Sequence, residues 1–595
     1  MILREFGGCR MRRWAAVAMR WRGRGCGIIL AMLSATAVSA GAPAVPPEVP
    51  QRTIEQQRTI EQEQRPTRPD TAPRPPAEIE KPAPPEPPPA AARPEPRVLV
   101  RQFRVTGNTV ISTERLEALT RPDEGKELSL EELRGVATRI SEYYADRGYL
   151  LARAYLPPQD VREGVIEIAV LEGNIGELQV TGNEYYSEAA ILRPLARFHN
   201  AKVVHEGLLE TAINELNDFP GLGVRASLKP GEKRGETDVI LTAQERFRLS
   251  GSLDVDNYGS RFSGVYRAGG ELSYGGITGL GDRLSLRYLQ SDNTLSYVRG
   301  SYLTPVGEYG TKVRLAYTYS ENGIGEELAA LNAVGYLHTV NLEIQQPVVR
   351  TSGTRFQFFG GMDIKRVQNV VLNTSAGKDD LRITYLGFNG DHRDKLLGRT
   401  YYGFTWYQSM TAFGGNPQDD PGASRPDNPG VFSKFTVDLA RLQSLLVGGS
   451  YLILRGFGQF STQNLQSAEQ YAIGGYYTVR GYPLGERAGD HGYSVSAEVV
   501  VPVPYLREWL QAAAFVDHAG VFPVSPDKAA GVKEHYLTGV GSGLRINLPA
   551  PLVPGGSFQM RLDYGYAVGP NPSNTSARLS HMDRSMLYFS TSFRF

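Results

Sequence analysis

The 595-residue sequence predicts a transmembrane β-barrel of about sixteen antiparallel strands, preceded by two small α+β domains. Three observations carry that expectation. From about residue 247 onward, helical periodicity gives way to segments of about ten residues that alternate apolar and polar side chains, the length of a tilted bilayer-crossing strand. Upstream, FRVTGN (103–108) and LQVTGN (178–183) open two copies of one unit, with Val105 and Val180 75 residues apart. The N-terminus has the pattern of a secretory signal.

Residues 1–40 supply that signal: Arg10, Arg12, Arg13, Arg20, Arg22 and Arg24, then the apolar run IILAMLSATAVSA, then small residues at Val38-Ser39-Ala40. The basic stretch is long, and Met11 and Met19 stand as alternative starts. The apolar run is too short to span a bilayer, and no later stretch has about 18 continuous apolar residues, so a membrane location requires a barrel. Hydrophobic content of 41% and a mean hydropathy of −0.30 would by themselves suit a soluble protein. Net charge is +1, which points to no nucleic-acid partner. Cys9 and Cys26 are the only cysteines, so the chain beyond the signal forms no disulfide, as suits passage through an oxidising compartment.

Residues 41–97 read as a Pro-rich linker, with PAPPEPPPAAARPEP (82–96) extended. Within it, QRTIEQ occurs in tandem at 51–56 and 57–62; the stretch fits a short helix needing a docking surface or plain linker. The units 98–173 and 174–246 each read strand, helix, helix, strand, strand. In the first, Ser129 and Glu132 form a capping box, and Leu133, Val136, Ala137, Ile140 and Tyr144 share one helical face. In the second, Leu209, Ala212, Ile213 and Leu216 do so.

The barrel is expected over 247–595. In DRLSLRYLQ, Leu284, Leu286 and Tyr288 alternate with Arg283, Ser285 and Arg287. In TKVRLAYTYS, Val313, Leu315, Tyr317 and Tyr319 form the apolar row. In GYSVSAEVV, Tyr493, Val495, Ala497 and Val499 oppose Ser494, Ser496 and Glu498. Repeated charges on one face and aromatic ends on the other favour a barrel with a wet lumen over a soluble sandwich.

One long connection, 462–490, contains VRGY. A charge folded into a lumen needs a counterion. In AAAFVDHAG (512–520), Phe515 and Asp517 fall on the face opposite Ala512, Ala514 and Val516, so Asp517 points inward and is the expected partner of Arg480. Breaking such a pair costs about 3–5 kcal/mol when buried and roughly 1–2 kcal/mol in a hydrated lumen. Pattern alone equally allows a solvated Arg480 and an unrelated Asp517. His518 beside Asp517 mimics a catalytic dyad, but lumen polarity explains it better. No nucleophile turn, HExxH motif, cysteine cluster or phosphate-binding loop is present in the sequence, so neither catalysis, metal nor cofactor is expected.

These motifs resemble the two-partner secretion outer-membrane transporters (TpsB), the ShlB/FhaC/HecB haemolysin secretion/activation family. The resemblance rests on Val479, Arg480, Gly481 and Tyr482 as the VRGY loop motif, and on Phe515, Asp517 and Gly520 as the F-x-D-x-x-G strand motif. Gly148, Tyr149, Leu156, Pro157 and Gln159 match a periplasmic signature, and Phe595 a terminal assembly signal. It implies two POTRA domains in the periplasm, a sixteen-stranded barrel, and a plug helix where the QRTIEQ pair stands. It further implies export of a large secreted TpsA-type exoprotein, adhesin or cytolysin, with outer-membrane lipid and the barrel assembly machinery as further partners. A Bam-type insertase is the alternative, though that branch usually carries more POTRA domains. A passive pore has no need of periplasmic receptors.

Overall fold

In the computed structural model, the described residues are the backbone of Ile79–Glu80 and residues 97–595, apart from short interruptions of which 526–533, 549–555 and 571–583 are the longest. The signal segment, both cysteines and the tandem QRTIEQ lie outside the described residues.

The first α+β domain pairs Gln102–Thr106 in parallel with Val165–Leu171, and the latter antiparallel with Arg153–Tyr155. Two helices cover this sheet, α1 (Thr113–Thr120) and α2 (Leu130–Ala145). Ser129 accepts from the Glu132 N–H while Glu132 accepts from the Ser129 N–H, so the expected capping box starts α2. Its buried face, Leu133, Val136, Ala137, Ile140 and Tyr144, packs with Phe103, Val105, Ile166 and Ile168. The second domain repeats this order with strands Asn174–Thr181, Leu222–Pro230 and Glu236–Glu245 and helices α3 (Glu188–Leu192) and α4 (Glu206–Leu216).

Both VTGN copies do the same physical work. Gly107 and Gly182 have φ of +80° and +77°, and a Cβ would meet the Val170 oxygen at 2.4 Å or the Ala243 oxygen at 2.5 Å. Asn108 Nδ2 donates to the Ile111 carbonyl at 2.8 Å, and Asn183 Nδ2 to that of Tyr186 at 3.0 Å. The last strand then closes each turn with a carboxylate. Glu172 accepts from the N–H groups of Thr109 and Val110, and Glu245 from those of Glu184, Tyr185 and Tyr186.

Among the described residues, sixteen antiparallel strands close the barrel in sequence order. They are β1 (Leu249–Asp256), β2 (Arg267–Gly275), β3 (Arg283–Ser291), β4 (Leu295–Val306), β5 (Thr311–Gly323), β6 (Val334–Arg350), β7 (Thr354–Val371), β8 (Thr374–Arg393), β9 (Gly398–Ser409), β10 (Ser433–Ser444), β11 (Tyr451–Ser461), β12 (His491–Pro502), β13 (Leu510–Phe522), β14 (His535–Leu548), β15 (Ser557–Ala567) and β16 (Ser585–Arg594). Leu284, Leu286, Tyr288, Leu315, Tyr317, Val495 and Val499 are exposed on the outer face, as their alternation predicts. Lengths depart from the expected ten residues: β7 has 18 and β8 has 20. Hairpin pairing continues beyond the apolar band because nothing in water penalises an already paired ladder, and polar residues such as Arg366 and Asp380 pair there.

The second domain sits against the periplasmic mouth. Asp218, just after α4, holds Arg350 at 2.6 Å and Lys312 at 3.5 Å, while Glu210 accepts from the Ser352 N–H. The linker also does more than span distance. Ile79 and Glu80 pair in parallel with Ala226 and Ser227, adding a strand to the edge of the second sheet.

Candidate functional site

The connection between β11 and β12 turns inward instead of projecting outward. Its base is a hairpin of Tyr471–Ile473 with Arg487–Gly489. Its tip carries glycines at positive φ, Gly474, Gly475, Gly481 and Gly485, which permit the tight reversal that presents Arg480. Val479 and Tyr482 are buried and pack with Ala519, Val521, Leu537 and Ala567 of the wall.

Arg480 meets Asp517 through a two-pronged contact, Nε to Oδ2 at 2.7 Å and Nη2 to Oδ1 at 2.9 Å, with its own N–H donating to Oδ2 at 3.2 Å. Its guanidinium carbon lies 3.3 Å from the centre of the Phe515 ring. The pair is part of a larger network. Arg480 Nη1 donates to Glu498 at 3.0 Å and lies 3.6 Å from Asp563. Arg545 bridges the same two acids, at 2.9 Å to Glu498 and 2.5 Å to Asp563. Arg480 is 4% exposed, Asp517 1% and Asp563 0%. Of the two settings expected for the pair, the buried one applies: the side chains cover one another and the loop tip covers them from above, leaving only a narrow face toward the lumen below.

Sequence reasoning missed Glu498, Asp563 and Arg545 as partners. Inward parity singled out Glu498 as a polar wall residue, but only the register, Ser496 opposite Asp517 and Glu498 opposite Phe515, brings it to Arg480. The wall also needs glycines where the tip lands. A Cβ on Gly539 would sit 2.0 Å from the Arg480 oxygen, and one on Gly565 2.7 Å from the Gly481 nitrogen. Tyr588 of β16 completes the seat, accepting from the Gly481 N–H at 3.1 Å and donating to the Tyr482 carbonyl at 3.0 Å. Below the tip lies a cavity of about 980 Å³ whose lining runs from Asp218, Lys312 and Arg350 at the mouth to Arg455, Arg480 and Glu498.

The other expected residues lie elsewhere. Gly520 is on the outer face, where a Cβ would strike the Tyr493 and Tyr536 rings, so it serves the aromatic surface and not the Arg480 seat. His518 also faces outward, bonded to the Tyr493 hydroxyl and the Thr538 hydroxyl, because adjacent strand residues point to opposite faces. It forms no dyad with Asp517, and lumen polarity does not explain it. Gly148 and Tyr149 mark the joint between the two periplasmic domains. Gly148, at φ +83°, accepts from the Glu206 N–H at 2.8 Å, and its lack of a Cβ admits the His205 ring, which Tyr149 meets edge-on. Leu156 packs on the first core, and Pro157 and Gln159 follow it; Gln159 exchanges two hydrogen bonds with the Glu167 backbone. Phe595 extends the β1–β16 seam, exchanging backbone bonds with Gly251.

An outward apolar face, a closed antiparallel wall, a loop locked in the bore and periplasmic sheet domains define an outer-membrane β-barrel transporter. The family described as haemolysin secretion/activation protein ShlB/FhaC/HecB matches residues 235–546, more than half of the chain, and a ShlB-type POTRA domain matches 98–173. The chain belongs to the haemolysin secretion/activation family. It lies in the outer membrane with its N-terminal domains in the periplasm. Relatives include the heme/hemopexin transporter protein HuxB of Haemophilus influenzae (strain 86-028NP), 27% identical over 74% of this chain and 79% of that protein. The outer membrane transporter CdiB of Escherichia coli O6:K15:H31 is 24% identical over 67% of this chain and 68% of its own. The solved structure of CdiB from Escherichia coli superposes with a TM-score of 0.69 at 21% identity, covering 93% of this chain and 99% of that one, a likeness of fold.

Proposed function

We propose that the protein exports a large secreted partner protein, of adhesin or cytolysin type, from the periplasm through the barrel lumen to the cell surface. The observation that carries this reading is a charged bore, open beneath and barred above by a loop held through side chains, not covalently. The sheet domains serve as receptor. Gln102–Thr106 and Asn174–Thr181 are edge strands of their sheets, able to pair with an extended chain. No nucleotide motif occurs in the sequence, so folding of the partner outside supplies the net drive. Arg480 bars the bore through Asp517, Phe515 stacks under it, and Val479, Gly481 and Tyr482 shape the tip. Lipid surrounds the outer face, and the barrel assembly machinery reads the terminal Phe595 during insertion. The test is co-expression with a long, repetitive secreted protein from the same genome as candidate partner. Export should require this chain and fail with Arg480→Ala, and unchanged export by that variant would overturn the reading.

One observation favours the insertase alternative. The β1–β16 seam is the shorter one: its backbone bonding runs from Gly251 with Phe595 to Asn257 with Phe589, whereas β15–β16 pairs Ser557–Tyr566 with Ser585–Arg594. Leu253→Cys with Phe593→Cys, residues opposite each other there, would seal it in a chain free of other cysteines beyond residue 26. Export that survives the seal supports the lumen route, and export abolished only in the oxidised form supports lateral opening.

A further inference from the structure

Arg480 secures the tip of the inward loop, but the base is held by a separate site of opposite charge. Glu469 ends the short helical turn Ser467–Glu469 and is 4% exposed. Its carboxylate accepts from Lys365 of β7 at 2.8 Å and from Lys434 of β10, a lysine with no exposed surface. Its carbonyl accepts from Gln459 of β11 at 3.0 Å, and the Lys434 ammonium lies 4.9 Å from the Tyr407 ring centre. Apolar contacts flank the site: Leu465 packs with Leu381, Ile383 and Phe432, and Ala468 with Leu337 and Val367. The returning limb is held by Asp490, which accepts from Arg425 at 2.8 Å and from the Leu465 N–H at 3.0 Å.

Two properties separate this site from the Arg480 seat. It uses β7, β10 and β11, whereas Arg480 uses β12 to β16. Its ionic polarity is inverted, an anion on the loop and cations on the wall, so neither site can accept the other's loop residue. Between them the chain passes Gly474 and Gly475, and on the way back Gly485, all at positive φ, where a backbone without Cβ can swing. A lysine buried without a counterion is costly, so both wall lysines favour keeping Glu469 in place whatever the tip does.

We infer that Glu469 is a positioning residue: with Lys365 and Lys434 it keeps the loop base seated in the wall when Arg480 lets go, so the lock opens by a swing of residues 474–486 about the glycines and not by expulsion of the whole loop. This rests on the reading that the loop bars the export path, but its test reads loop position alone.

Thiol labelling of the full chain in outer-membrane vesicles tests it, using a membrane-impermeant maleimide. Val479→Cys reports the tip and Ala468→Cys the base; both positions are buried, and cysteine behaves there as a small apolar residue. In the Arg480→Ala background the Val479→Cys thiol should lose its protection while the Ala468→Cys thiol keeps it. Adding Glu469→Gln should expose the second thiol too, as should replacing Lys365 and Lys434 by Gln, and Glu469→Asp should restore protection. Labelling of both thiols in Arg480→Ala alone would overturn the inference, and this arm leaves Glu469 intact, so misfolding of a Glu469 variant cannot mask it. Persistent protection of the base after loss of Glu469 in a heat-modifiable, folded barrel would overturn it equally. Export is scored in parallel: a parent chain that exports nothing counts against the transport reading and leaves the labelling pattern to decide the anchor.

Discussion

Arg480→Ala is the perturbation whose size the structure sets best. The change removes a cation that makes a two-pronged bond to Asp517 and a further bond to Glu498, in a site with almost no exposed surface. Breaking one partner of a buried pair costs about 3–5 kcal/mol. Arg545 still neutralises Glu498 and Asp563, which leaves Asp517 as the main uncompensated charge and favours the lower end. About 3 kcal/mol corresponds to roughly a hundredfold shift of the docked–undocked equilibrium of the tip. Arg480→Lys keeps the charge but loses the planar fork and the stacking on Phe515, so it should fall between, at about tenfold. Planar-bilayer recording of purified protein should show more frequent large-conductance openings in the order wild type, lysine, alanine, and export should fall in the same order. A folded, heat-modifiable alanine variant with wild-type conductance and wild-type export would refute the reasoning, because a shift of that size cannot be silent if the tip bars the bore.

Three further outcomes follow from the same geometry. Exchanging the pair, Arg480→Asp with Asp517→Arg, should restore export only in part, because the new aspartate meets Glu498 and the new arginine leaves Asp563 less neutralised; full restoration would show that the network beyond the pair is idle. Gly539→Ala should open the channel without changing any charge, since its Cβ falls 2.0 Å from the Arg480 oxygen and a small-to-large change in such a seat costs about 1–3 kcal/mol; unchanged conductance would move the tip away from this wall. In the first periplasmic domain, burial pushes the Glu172 carboxyl up, but the Thr109 hydroxyl and the Val110 and Thr109 N–H groups outweigh it and hold it below the ordinary 4.5. A folded value lower than the unfolded one stabilises the domain above pH 4.5 and loses that contribution as pH falls through the lowered value. Limited proteolysis of the full chain against pH should therefore show an acid-dependent loss of protection at 98–173 in the parent, and in Glu172→Gln a weaker protection that no longer varies across that window.

Much of this architecture is legible in the sequence because its signals are local. Period-2 alternation needs only neighbouring residues, which is why Leu284, Leu286 and Tyr288 are placed correctly on the outer face. The VTGN copies report a turn that only Gly107 or Gly182 can make, with an asparagine to close it. Parity alone points Asp517 inward and makes it the natural counterion for Arg480. What stayed hidden depends on register. Parity tells which face a residue takes, but not that Glu498, Asp563 and Arg545 converge from β12, β15 and β14 at one height. The same holds for Gly539 and Gly565, which look like weak strand residues until the loop tip lands on them. His518 and Gly520 misled for the converse reason: closeness in a motif suggests a shared site, whereas on a strand the neighbour and the third residue on both face away from Asp517.

The ionic lock and its apolar rim act as one device. Unit charges 4 Å apart attract by about 1 kcal/mol in water and about 4 kcal/mol at an effective dielectric of 20. The strength of the Arg480 network is thus set by dryness, and dryness is maintained by Val479 and Tyr482 against Ala519, Val521, Leu537 and Ala567. A chain segment that parts this rim need not compete with each ion pair in turn, because entering water weakens all of them together. The two layers are separable by salt. Screening acts on hydrated charges and only feebly on buried ones, so raising ionic strength should leave the conductance of the parent nearly unchanged. Val479→Ser breaks the rim without touching a charge, and its open probability should rise steeply with salt. A parent that opens with salt as readily as Val479→Ser would mean the site is already wet, and the buried network would then not be what holds the loop.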